Sequence, residues 1–119
     1  MLLFLYGEDT YRSRRMLDEI RAKFLREVDK SGLNLTVLDG EKSSLADFRA
    51  AIFAAPFLAT KRLVVIRNAV RGAKKAAAEE LAGVLRESPA ETILVVFEGC
   101  GSEELKDSPV FKSIKDTKH

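Results

Sequence analysis

Cysteine is almost missing from this chain. A single one, Cys100, in 119 residues excludes an internal disulfide and fits a reducing compartment. Histidine is as scarce, and the only one is His119. A catalytic cysteine needs a base to form the thiolate, so Cys100 makes a poor nucleophile, and no cluster has metal-ligand spacing. No apolar run approaches the roughly 20 residues that cross a bilayer. The opening "MLLFLYGED" lacks the basic leader and small-residue cleavage site of a signal peptide. A cytoplasmic protein without membrane contact is therefore expected. Charge of one sign is lacking too: 20 basic residues nearly balance 18 acidic ones, leaving +2, which says little about nucleic acid.

What is present suits one soluble domain, with 46% apolar and 32% charged residues. "LLFLY" (Leu2 to Tyr6), "LVVI" (Leu63 to Ile66) and "ILVVF" (Ile93 to Phe97) are continuous apolar runs, the mark of strands buried on both faces. "NLTVLD" (Asn34 to Asp39) alternates and is more polar, which places it at a sheet edge. Between the first two strands Leu17, Ile20, Phe24 and Val28 recur at helical spacing, with Arg12, Arg15, Glu19, Lys23 and Arg26 on the opposite face. A second helix starts at Ser44 with Asp47 in its first turn. It buries Leu45, Phe48 and Ile52, and Pro56 is expected to end it. A third, after Gly72, buries Ala77, Leu81 and Val84 or Leu85, and a short last helix is expected from Ser108. Strands alternating with crossover helices predict an α/β, three-layer sandwich on a mostly parallel sheet. The chain stops where another β-α unit would bring a fifth strand, so residues 1–119 read as a domain fragment.

Catalytic chemistry fails at each strand end. After the first strand, "YGEDTYRSRR" offers Glu8 and Asp9 where a phosphate-cradling loop needs a second glycine and a lysine. Gly7 for the turn and Asp9 or Thr10 for the cap explain it better. Arg67 and Asn68 follow the third strand where a metal-binding aspartate would be wanted, and Glu98 after the fourth lacks the phosphate loop or metal carboxylate that would give it a task. No catalytic residue, cofactor or metal is expected. Arg67, Arg71, Lys74 and Lys75 could meet phosphates, yet acidic residues interleave with the basic ones and no aromatic platform accompanies them. Solvated helix faces explain such charges.

The stretch "AAPFLATKRLVVI" (Ala54 to Ile66) is less ordinary. Phe57 and Leu58 sit directly after Pro56 at a junction that is normally polar. Phe57 could fold back to help bury Phe48 or Phe53, stapling the junction shut. Alternatively the pair projects into a partner's pocket, where burial is worth roughly 3–6 kcal/mol, a meaningful part of the ~8 kcal/mol behind micromolar affinity. The residues alone leave both readings open.

The chain resembles the amino-terminal domain of the bacterial DNA polymerase III delta subunit family. "FLYGEDTYRSRRMLDEIR", "VLDGEKSSLADFRAAIFAAPFLATKRLVVIRNA" and "LAGVLRESPAETILVVFEG" carry the resemblance, and "SPVFKSIKD" is similar to a later helix of the family. It implies an AAA+-like fold with sheet order 5-1-4-3-2, here lacking strand five, and no ATP hydrolysis, the phosphate loop being lost. It also implies that the domain grips the ring-shaped sliding clamp through an apolar pair after the second helix and helps open the ring. The matching positions are Phe57 and Leu58 after Pro56, in reverse of the family's usual Leu-Phe order. Other clamp-loader subunits are implied partners of the complete protein, with DNA met only indirectly or weakly. Two other functions stay open. A nucleic-acid-binding domain would show steep salt dependence and ignore changes at Phe57 and Leu58. A nucleotide-binding remnant would be stabilised by nucleotide.

Overall fold

Strands β1 (Leu2–Leu5), β2 (Leu35–Asp39), β3 (Arg62–Arg67) and β4 (Thr92–Phe97) alternate with helices α1 (Thr10–Glu27), α2 (Leu45–Ile52) and α3 (Lys75–Arg86). They belong to a computed structural model that describes residues 2–6, 10–69 and 75–99. Every adjacent strand pair is parallel, in the order β1-β4-β3-β2. That is the implied order without strand five. The fifth strand and the helix expected from Ser108 lie outside the described residues, as do Gly7 to Asp9, Arg71, Lys74 and Cys100.

Side chains alternate faces along each strand, and the continuous apolar runs feed two cores at once. Val64, Ile66, Leu94, Val96 and Phe4 meet Phe48, Ile52, Leu81 and Leu85 of α2 and α3. Their neighbours Leu63, Val65, Val95 and Phe97 meet Leu17 and Phe24 of α1. The sheet is thus the middle of three layers. β2 stands at the edge, as its polar alternation predicted, with Val37 exposed.

Two helix details differ from expectation. In α3 it is Ala78, not Ala77, that is buried, and Val84 and Leu85 both are. The run "AAAEELAG" offers alanines at every phase, so the larger Leu81, Val84 and Leu85 set its rotation. α2 stops at Ile52, before Pro56 could end it, with Phe53 as its C-cap. The cause is tertiary. Arg62 Nε donates to the Ala51 carbonyl at 3.1 Å and the buried Thr92 hydroxyl donates to the Ile52 carbonyl at 3.1 Å. These oxygens would otherwise need partners from a further turn. The start of α2 is as expected: Ser44 Oγ accepts from the Asp47 N–H, and Asp47 Oδ2 accepts from the Ser44 N–H, a reciprocal capping box.

The turn from α1 into β2 is built around Asp29. The N–H groups of Val28 and Asp29 both donate to the Phe24 carbonyl, and Gly32 takes a positive φ of 76° that suits glycine. Burial of the Asp29 carboxyl pushes its pKa up. Hydrogen bonds from the Asn34 N–H, the Ser31 hydroxyl, the Asn34 amide and the Gly32 N–H outweigh that and leave it below the ordinary value.

Two outcomes follow from this architecture. A Cβ on Gly40 would overlap the backbone of Ala69, so Gly40→Ala lowers unfolding stability by about 2 kcal/mol in denaturant titration. A depressed carboxylate pKa stabilises above the unfolded value, and that stability is lost as pH falls through the folded one. The stability difference between the natural chain and Asp29→Asn therefore shrinks as pH is lowered below about 4, followed by thermal melts across acid pH.

Candidate functional site

β2, β3 and β4 all begin at one edge of the sheet, and the loop from α2 to β3 (residues 53–61) closes over that edge. One side chain braces the loop itself and two brace the last turn of α2 that leads into it. Arg62 reaches from the start of β3 to the end of α2 and also donates from Nη2 to Thr36 Oγ1 of β2 at 2.7 Å. Its guanidinium lies at the negative end of the α2 dipole, where a cation is favoured. Thr92, from the start of β4, holds the last turn of α2. Asn34, just before β2, takes both backbone groups of Phe57: Oδ1 accepts from the Phe57 N–H at 2.6 Å, and Nδ2 donates to the Phe57 carbonyl at 2.7 Å.

On this braced loop Pro56 is half-buried, Phe57 is 57% exposed and Leu58 is 89% exposed. Phe57 leaves more than half of its surface in solvent, and Phe48 is buried among α2, α3 and strand residues. Leu58 has φ 54°, a left-handed conformation that costs a residue with a Cβ roughly 1 kcal/mol. A large apolar side chain is thus both exposed and held on a strained backbone, two costs that folding alone does not reward.

Sequence reasoning missed two residues here. Leu33 is 60% exposed and lines a groove with Leu58, Val28, Asp29 and Ser31. Asn34 is fully buried, yet in "NLTVLD" it reads as the polar first residue of an edge strand. The available signal was local: an asparagine just after the turn "SGL", a residue type able to donate and accept at once.

The opposite edge, beyond the carboxyl ends of the strands, is where ligands of such sheets usually bind. Glu98, set at this edge without a catalytic task, is fully buried, and its N–H continues the ladder to the Leu5 carbonyl. Arg67 is half-buried at the end of β3, and Lys75 opens α3. A groove between α2 and α3 is lined by Gly40, Ser43, Ser44 and Asn68 together with Glu41 and Glu80; no described basic side chain lines it. The charges described there, Glu41 and Glu80, do not favour a phosphate. On α1, Arg15 is paired with Glu19 at 3.5 Å in full solvent, the solvated face expected of it. Among the described residues no group of three or more His, Cys, Asp or Glu side chains could hold a metal ion, and no helix is long and apolar enough to cross a membrane.

Comparison with known proteins separates fold from sequence. The DNA clamp loader delta protein of Bacillus subtilis superposes with a TM-score of 0.76 over 98% of this chain, at 23% identity. This chain spans 36% of that one. No curated protein matches it significantly by sequence. The family model described as DNA polymerase III, delta subunit, matches residues 3–119. With nearly its whole length matched, the chain belongs to the DNA polymerase III delta subunit family.

Proposed function

We propose that this chain is the clamp-docking module of a clamp-loader subunit acting in DNA replication. It grips a ring-shaped sliding clamp through Phe57 and Leu58, supported by Pro56, and carries out no catalysis of its own. The observation that carries this reading is the exposure of two adjacent large apolar side chains on a loop that Asn34 pins at Phe57 and that leaves an α2 end held by Arg62 and Thr92. Little loop entropy is then lost on docking, which is what lets a small contact bind well.

The mechanism is differential binding. A protein drives a closed interface open only by binding the open form better. Phe57 and Leu58 hold the clamp, and the surrounding loop and helix surface fits a ring relaxed at one interface. The rest of a full-length subunit would dock this module among the other clamp-loader subunits, which supply the ATP-driven step, with DNA met only indirectly. The chain alone binds a clamp without loading it, and residues 1–119 act as one domain of that longer subunit.

The test is binding to a purified bacterial sliding clamp, followed by surface plasmon resonance. Phe57→Ala/Leu58→Ala lowers affinity by at least 100-fold, given roughly 3 kcal/mol or more for the pair, with its melting temperature unchanged because both side chains lie outside the core. Equal binding by the double variant would place the grip elsewhere, and binding that falls steeply with salt but ignores the pair would favour nucleic-acid-like electrostatic recognition instead.

A further inference from the structure

We infer that Asn34, held by Asp29, is a positioning residue for the docking pair: it locks the backbone of Phe57 and so fixes Leu58 in its outward, left-handed conformation. This rests on the reading of Phe57 and Leu58 as the clamp grip, and concerns how the grip is kept ready.

All the side-chain hydrogen-bonding groups of Asn34 are engaged. Its Oδ1 and one Nδ2 hydrogen serve Phe57, and Nδ2 also donates to Asp29 Oδ1 at 3.2 Å. Its backbone is fixed as well, the N–H donating to Asp29 Oδ2 at 2.8 Å and the carbonyl accepting from the Leu63 N–H at 2.9 Å. The carboxamide therefore imitates one rung of a β-ladder, pairing with both backbone groups of a residue 23 positions away in sequence. Asp29 orients it, and Ser31 Oγ in turn donates to Asp29 Oδ1 at 2.8 Å. Both groups are almost wholly removed from water, where a hydrogen bond is stronger and an unmade one is costly.

The lock explains an otherwise unrewarded conformation. Leu58 follows Phe57 directly, so a fixed Phe57 limits how the chain can turn at residue 58. With the peptide groups of Phe57 occupied, the loop cannot relax into an extended form that would fold Leu58 down. Only asparagine or glutamine offers a donor and an acceptor on one planar group, and the longer side chain would overfill a site with no exposed surface. The adjacent Leu33, lining the same groove as Leu58, is brought beside the pair by the same cross-link.

The test uses Asn34→Ala, with Asp29→Asn as a second variant that loosens the lock without emptying the Asn34 site. Hydrogen exchange at the Phe57 amide and backbone order parameters at Leu58 are measured by NMR. Affinity for the purified bacterial sliding clamp is measured alongside, with and without Leu58→Ala. The expected result is a folded variant with lost Phe57 protection, a more mobile Leu58 and affinity reduced roughly tenfold, the cost of reordering a loop on binding. Leu58→Ala should then cost less in the Asn34→Ala background than in the natural chain, since the two act through one contact. A purely structural role would lower melting temperature and leave that coupling near zero, which overturns the inference. Unchanged protection at Phe57, or a loosened loop with full affinity, overturns it too. Should Asn34→Ala fail to fold, the same readouts on Asp29→Asn decide. Absence of clamp binding by the natural chain defeats the clamp reading by itself. The exchange and order measurements would still uphold or overturn the lock.

Discussion

A sheet covered on both faces leaves no water to satisfy the helix ends that press against it, and this constraint organises the chain from the core outward. The last carbonyls of α2 point toward the beginning of the sheet. Thr92 and Arg62 accept the task of meeting them, and both stand at strand starts because that is where the end of a crossover helix arrives. Once those oxygens are paired, the helix has no reason to continue, and the backbone is released into a loop well before Pro56. The proline then stiffens a turn already begun. The apolar pair lies where it does because the helix ended early.

The same logic separates the two edges of the sheet. The carboxyl edge, where related architectures bind phosphates, carries Glu41 and Glu80 around its groove and a sealed Glu98. At the amino edge Arg62 and Thr92 hold the last turn of α2, and Asn34 holds the loop that follows it. The two ends of one sheet thus differ in chemistry while layers and strand order stay the same, which is why fold likeness alone cannot assign chemistry.

Much of this was legible beforehand. The unbroken apolar runs announced two buried faces, as β3 and β4 have, though in β1 only Phe4 is fully buried; the alternation of "NLTVLD" put β2 at the rim, and Ser44 with Asp47 marked a helix start that is realised atom for atom. Phe57 and Leu58 stood out because large apolar residues broke a junction that should be polar. What was illegible depended on partners remote in sequence. Nothing near Ile52 says that a threonine 40 residues later will hold its carbonyl. Nothing in "SGLN" says that its asparagine will seize a phenylalanine backbone. Ala77 and Ala78 could not be ranked because an alanine run has no contrast to set its phase. Local pattern reports which faces are apolar, whereas the point at which elements stop is decided by what they meet.

The parallel arrangement of β2, β3 and β4 also has a mechanical meaning. Consider a load along the strand axes from the end where Phe57 and Leu58 lie. It is shared by whole hydrogen-bond ladders in shear, in register from Arg62 and Thr92 to Arg67 and Phe97, instead of peeling them one bond at a time. Along that axis the sheet resists as one unit, so the domain is stiff from the α2–β3 loop to the carboxyl ends of its strands.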